Sequence, residues 1–174
     1  ISCRTDCVPG LSVWTDTAAT HGARKNVLEF LLKNHPLDCP ICDKAGECPL
    51  QNYTYAEGQA ASRSEDPKRH FRKRVDLGEV ILLDEERCVL CTRCVRFTDE
   101  VAKDPQLVVR ARGPEAMVGT FDDEPLKGNY QGNLADICPV GALTLKKFRF
   151  KARVWNLKKA DSICPRCSRG CNIT

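Results

Sequence analysis

The chain has 174 residues, of which 42% are apolar and 6% aromatic, and its formal net charge is +4 at pH 7. This length suits one domain or several small ones, and so mild a charge does not by itself indicate nucleic-acid binding. No run is long and apolar enough for a membrane span or a secretion signal, so we expect membrane contact only through a partner.

The cysteine content indicates metal binding. The chain has twelve cysteines, many of them in Cys-x-x-Cys steps. Such steps fit metal ligation better than disulfide cross-links, which favours a cytosolic metal protein over a secreted disulfide scaffold. Metal binding would also supply folding energy that thin cores lack. Because the chain opens on Ile1 and its only methionine is Met117, we expect it to be a piece of a longer protein.

The first regular element that the pattern predicts is a helix over 17–34. Residues 15–17 offer N-caps, and Pro36 disfavours helical geometry at His35. Before it, Leu11 to Trp14 show only a partly strand-like spacing. The residues that recur at helical spacing and predict an apolar face are Ala23, Val27, Phe30 and Leu31.

A first set of cysteines follows this helix. Its members are Cys39, Cys42 and Cys48. Three thiolates leave one position of a four-iron cage open, and His35, four residues before the set, is the favoured fourth ligand. Carboxylates are the alternatives, although they suit iron–sulfur iron less well; they belong to Asp38, Asp43 and Glu47. A neutral imidazole in place of a thiolate should raise the reduction potential.

Residues 52–78 are polar and broken, and 68–74 are strongly basic. Such a stretch can bind nucleic acid. Only one aromatic residue interrupts it, which favours a solvated connector or a partner-docking segment.

A second set of cysteines follows a short strand predicted at 80–83. Its local members are Cys88, Cys91 and Cys94. A helix predicted over 95–101 would carry Cys94 in its first turn, and Thr98 stands where a two-cluster ferredoxin run has a fourth cysteine. Cys138, followed by Pro139, is the remote cysteine that can complete a cubane site.

The remaining chain predicts three strands and a third set of cysteines. Strands are expected at 107–109, 117–121 and 148–154, the last with one basic face. A plain half-buried strand explains that alternation better than nucleic-acid binding. The chain closes on a triplet that no further cysteine completes: Cys164, Cys167 and Cys171.

Three stretches in this order carry a family resemblance: 28–39, 88–97 and 132–144. They resemble the iron–sulfur region of the large, 75-kDa-type subunit of respiratory NADH:quinone oxidoreductase (complex I), in the bacterial type with an extra [4Fe–4S] motif. The resemblance implies an α+β fold of small iron–sulfur domains in series. These are the end of a plant-type [2Fe–2S] ferredoxin domain (1–16), a helical His-Cys₃ domain (17–56), a ferredoxin-like [4Fe–4S] domain (57–150) and the start of a molybdopterin-oxidoreductase-like domain (151–174).

The resemblance also implies which residues bind metal. Cys3 is the last ligand of a [2Fe–2S] cluster, and Cys7 is a free thiol. Two complete [4Fe–4S] clusters are implied, one held by His35, Cys39, Cys42 and Cys48 and the other by Cys88, Cys91, Cys94 and Cys138. A third [4Fe–4S] cluster, off the main electron path, would use Cys164, Cys167 and Cys171.

In this family the chain carries single electrons from a flavin-containing, NADH-oxidising subunit toward iron–sulfur and quinone-reducing subunits. The resemblance places it peripherally on the cytoplasmic side of the inner (plasma) membrane, with no substrate-converting residue. The nearest alternative is the iron–sulfur subunit of an NAD-linked formate dehydrogenase or multimeric hydrogenase. A zinc-bound module is disfavoured because zinc prefers isolated tetrahedral sets.

Overall fold

The structure is a computed structural model that describes residues 5–174. The first helix, α1 (Ala18–Asn34), has the predicted bounds. The Thr17 hydroxyl accepts the Thr20 amide, and His35 is extended before Pro36. The segment before the helix forms no strand in its described part. Among the helices described, none is long and apolar enough to cross a membrane.

The predicted apolar face of α1 is wrong in detail. Val27 and Phe30 are 59% and 77% exposed, whereas Leu28 is buried and the neighbouring Leu31 and Leu32 pack on the core. Both stripes have helical spacing. Tertiary packing, which periodicity does not contain, selects the second one.

The sequence analysis missed the second helix, α2 (Pro49–Glu57), which begins directly after Cys48. Proline suits a first helical position because its missing amide has no intrahelical partner there. The helix packs on α1, and the Glu57 carboxylate accepts from Arg24 at 2.9 Å and bonds His21 at 2.6 Å. The two helices thus flank the first cysteine loop.

A three-stranded antiparallel sheet forms the centre of the fold. Its strands are ordered β1 (Val75–Asp76), β2 (Ile81–Leu83) and β5 (Leu143–Leu145). The register pairs Ile81 with Leu145 and Leu83 with Leu143. The most deeply buried side chains lie on and around this sheet: Leu77, Ile81, Leu83, Leu107, Leu134 and Val140.

The elements around the second cysteine set follow the prediction. A short helix α3 (Arg93–Arg96) continues as a π-helical turn (Phe97–Val101). Strands β3 (Leu107–Arg110) and β4 (Met117–Thr120) form an antiparallel pair. Helix α4 (Gln131–Ile137) then ends at Cys138.

The strand predicted at 148–154 is wrong. Phe150 has a φ of 61°, and the chain forms turns followed by a 3₁₀ helix over Val154–Asn156. Arg149 lies over the Phe150 ring at 4.8 Å, so local contacts replace the expected strand pairing. The last elements, β6 (Ser162–Ile163) and β7 (Asn172–Ile173), form a small hairpin of exposed residues.

Candidate metal centre

The structure brings the four cysteines of the second set to one cavity. Cys88, Cys91, Cys94 and Cys138 all line it, with a wall of core residues. Cys94 lies on α3, Cys138 caps α4, and Cys88 follows the buried loop after β2. The apolar wall consists of Leu83, Val118, Val140, Ala142 and Leu143, with Val89 beside it.

Backbone amides point at the sulfurs of this cavity. The Leu90 amide donates to Cys88 Sγ at 3.4 Å, and Leu90 and Thr92 have left-handed backbones that turn the loop tightly. The Cys138 sulfur accepts from backbone amides directly after it, at Val140, Ala142 and Leu143. Such hydrogen bonds stabilise thiolates and are among the factors that set a cluster's potential.

Burial raises the pKa of these thiols. The pKa of Cys88 rises to about 11 and that of Cys94 to about 12, mainly through desolvation and further through the neighbouring thiols. Burial also raises the pKa of Cys138. Deprotonating the set without a compensating positive charge is therefore unfavourable, and iron would supply that charge. Four sulfur donors around an apolar cavity fit a [4Fe–4S] cluster.

His35 has the protonation state that a nitrogen ligand requires. Its Nδ1 is buried and has no hydrogen-bond partner. Burial lowers the pKa of His35 to about 4, and the positive charges of Lys68 and Arg87 lower it further. The imidazole is therefore neutral at physiological pH, with a ring nitrogen free to bind metal.

The first cysteine loop is held from two sides. Cys39 begins a 3₁₀ turn, and the Cys42 amide donates to its carbonyl at 3.3 Å. The Arg153 guanidinium donates to the Cys42 carbonyl at 2.7 Å and also to the Pro40 carbonyl. Cys48 is buried at the start of α2. The segment after β5 thus clamps this loop.

His35 does not share a cavity with the three cysteines predicted to accompany it. The cavity that it lines also contains Cys88 and Leu90, and none of Cys39, Cys42 and Cys48 lines it. The ligand set of His35 with those cysteines therefore stays a prediction. The cavity does place His35 beside the all-cysteine set.

The segment 138–141 contacts both cysteine sets. Cys138 lines the cavity described above, the Cys48 thiol donates to the Pro139 carbonyl at 3.7 Å, and the Cys42 sulfur packs directly against Gly141. Two sets that are distant in sequence thus lie on either side of four consecutive residues.

An ionic network between the two loops was missed from sequence. Asp38 and Arg87 each come directly before the first cysteine of a set, and they form an ion pair at 2.8 Å. Lys73 bonds Asp38 at 2.6 Å and Glu86 at 2.5 Å. The only sequence signal was one charge of each sign at equivalent places, which is too common to interpret alone.

The basic stretch 68–74 is largely paired within the chain. Arg72 forms ion pairs with Glu85 and Asp123, and the Lys68 ammonium caps carbonyls at the end of α1. These contacts support the connector interpretation of the segment.

The terminal triplet lies at the β6–β7 hairpin. The Cys164 amide donates to the Cys171 carbonyl at 2.8 Å, and both Cys167 and Cys171 are exposed. Cys7 is also exposed and not in a disulfide, whereas Cys3 lies outside the described residues. Within residues 5–174, no three His, Cys, Asp or Glu side chains are placed to hold a single metal ion.

Two family models match the chain in the regions of the first two sets. The NADH-ubiquinone oxidoreductase-G iron-sulfur binding region matches residues 24–63. The ferredoxin-like domain of NADH-quinone oxidoreductase subunit 3 matches residues 78–144. The chain belongs to the family of the 75-kDa-type subunit of NADH-quinone oxidoreductase, in its iron–sulfur region. Its mixed helix and strand fold therefore carries iron–sulfur binding domains, including [4Fe–4S] types.

Relatives within this family span bacteria and mitochondria. The chain is 46% identical over 172 residues to NADH-quinone oxidoreductase-G of Streptomyces coelicolor, covering 98% of this chain and 20% of that protein. It is 45% identical to the mitochondrial NADH dehydrogenase iron-sulfur protein 1 of Solanum tuberosum, covering 99% of this chain and 23% of that protein. The chain thus spans about a fifth of the length of these curated relatives.

A solved structure shares the fold. The crystal structure of an NAD⁺-reducing [NiFe]-hydrogenase in its H₂-reduced state aligns with a TM-score of 0.76 at 30% identity. The alignment covers 88% of this chain and 66% of the hydrogenase chain.

Proposed function

We propose that this chain relays single electrons within an NADH:quinone oxidoreductase, from a flavin-containing NADH-oxidising subunit toward quinone-reducing subunits. The observation that carries the proposal is the gathering of Cys88, Cys91, Cys94 and Cys138 around one apolar cavity. A bound [4Fe–4S] cluster supplies a one-electron redox couple. The names and identities of the relatives support the choice of complex.

The chain's own residues hold and insulate the redox groups. The all-cysteine set holds one [4Fe–4S] cluster, and the amides at Leu90 and after Cys138 stabilise its thiolates. We assign a second [4Fe–4S] cluster to His35 and the first cysteine loop. Segment 138–141, which contacts both sets, keeps the two redox sites adjacent. No side chain of either site has to act as an acid, base or nucleophile.

Further assignments complete the proposal. Cys3 contributes one ligand to a [2Fe–2S] cluster, and Cys164, Cys167 and Cys171 contribute to a third [4Fe–4S] cluster off the main path. The domain boundaries at 16, 56 and 150 follow these ligand sets. The chain lies peripherally on the cytoplasmic side of the membrane, which it contacts through partner subunits.

A sibling role has one specific observation behind it. The structurally similar chain belongs to an NAD⁺-reducing hydrogenase. The NADH-quinone oxidoreductase relatives match with higher identity and favour the quinone-linked complex. Purification of the native complex decides between them: quinone reduction by NADH supports the proposal, and hydrogen-dependent NAD⁺ reduction contradicts it.

Nitrogen ligation by His35 tests the second cluster. In the anaerobically reduced complex, pulsed EPR should detect strong nitrogen hyperfine coupling in one [4Fe–4S] signal, because a ring nitrogen binds iron. The coupling should vanish in His35→Cys and persist in His70→Gln, whose imidazole is exposed. Absence of the coupling from the parent complex contradicts the assignment of His35.

A further inference from the structure

Arg87 is a buried arginine between the two ligand sets. Its side chain is 3% exposed, and it comes directly before Cys88. Its Nη2 bonds the Asp38 carboxylate at 2.8 Å, and its Nε lies 3.2 Å from the Asp84 carboxylate. Because Asp38 comes directly before Cys39, this ion pair joins the first position of one set to the first position of the other.

The Arg87 side chain also lies beside Cys42. A Cβ built on Gly141 would overlap the Cys42 sulfur and would lie 3.8 Å from Arg87 Cδ, so the backbone of Gly141 is flanked by both side chains. A guanidinium stays protonated at every physiological pH. A permanent positive charge is therefore fixed beside a proposed iron ligand, where little water screens it.

Stability alone explains this charge poorly. A buried ion pair is weak support for a fold, because desolvation offsets most of its Coulombic attraction. A charge next to a redox group has a further effect. Reduction adds one negative charge to the group, and a nearby positive charge favours the reduced form. The two carboxylates moderate the charge of Arg87 but do not surround Cys42.

We propose that Arg87 is a positioning residue that raises the reduction potential of the cluster held by His35, Cys39, Cys42 and Cys48. It also fixes the first cysteine loop against the loop of Cys88. The inference rests on the proposed function, since without that cluster there is no potential to set.

The experiment is an EPR-monitored redox titration of the anaerobically purified complex. Arg87→Gln should shift the equilibrium of the histidine-ligated cluster toward its oxidised form by on the order of tenfold, about 59 mV for a one-electron couple. Arg87→Lys should restore most of the shift because it keeps the charge. Arg63→Gln is the matched control, since Arg63 pairs with Glu29 at the exposed surface, and it should leave the potential unchanged.

Asp84→Asn makes the test independent of how well Arg87→Gln assembles. It removes a negative charge from the same network and should raise the potential, opposite to Arg87→Gln. A purely structural role would not give shifts of opposite sign. A parent complex without [4Fe–4S] signals contradicts the proposed function. Normal signals whose potential is unchanged in Arg87→Gln, or not raised in Asp84→Asn, contradict the role of Arg87 alone.

Discussion

The all-cysteine site and the terminal hairpin start from similar local patterns but lie in different surroundings. The second set begins with cysteines at 88, 91 and 94, and the terminal set has them at 164, 167 and 171. In the first case a core cavity receives the loop and Cys138 arrives from α4. In the second, a two-residue-strand hairpin leaves Cys167 and Cys171 exposed. Close cysteine spacing predicts ligands, but the remote cysteine and the surrounding core make a closed site.

The largest effect is expected from the remote ligand. Cys138→Ala should abolish the EPR signal of the all-cysteine cluster, because Thr98 is buried, bonds the Val95 carbonyl at 2.8 Å and carries no sulfur. Cys7→Ala is the control and should leave every signal intact, since Cys7 is exposed. An unchanged signal in Cys138→Ala would show that another residue completes the site and would break the comparison.

The next effect concerns how tightly the core holds the cysteines. Gly141→Ala places a methyl group against the Cys42 sulfur. We expect this overpacking to cost about 1–3 kcal/mol and to lower the occupancy of the histidine-ligated cluster several-fold. Iron and acid-labile sulfide, measured with the EPR signal, report that occupancy.

Gly132→Ala is the matched control for this substitution. Gly132 lies in α4, and a Cβ there meets no atom within 4 Å. The control should keep full occupancy. Equal occupancy in Gly141→Ala and Gly132→Ala would mean that the first loop tolerates the extra volume.

The smallest effect is a difference in thiol reactivity. After iron is removed, iodoacetamide at pH 8 should alkylate Cys167 and Cys171 well before Cys88 and Cys94. The thiolate is the reactive form, and burial raises the pKa of Cys88 to about 11 and that of Cys94 to about 12. Raising the pH increases the thiolate fraction, so the rate at Cys88 should climb about tenfold per unit until about pH 11.

Mass spectrometry of the alkylated peptides measures this order. In a denatured sample all cysteines should react alike, which serves as the control. Equal rates at Cys88 and Cys167 in the folded protein would remove the distinction between the two regions.

Local chemistry in the sequence predicted much of this fold. The Thr17 cap and Pro36 predicted α1, and the apolar run at 80–83 predicted β2. The association of Cys138 with the second set also follows from sequence, because one cysteine–proline pair was left to complete it.

The errors come from tertiary contacts. At 148–154 the alternation is that of a strand, but no neighbouring strand pairs with it in the described part of the chain, and Arg153 instead clamps carbonyls of the first loop. The face of α1 was misassigned because two stripes compete and packing chooses Leu28. The pairing of Arg87 with Asp38 joins residues 49 positions apart and leaves no periodic signal.

The most direct test of the account is an iron-resolved map of the anaerobically purified complex by cryo-electron microscopy or anomalous diffraction. The account predicts four-iron density in the cavity lined by Cys88, Cys91, Cys94 and Cys138. A single metal ion or a disulfide bond between any two of these cysteines would contradict it.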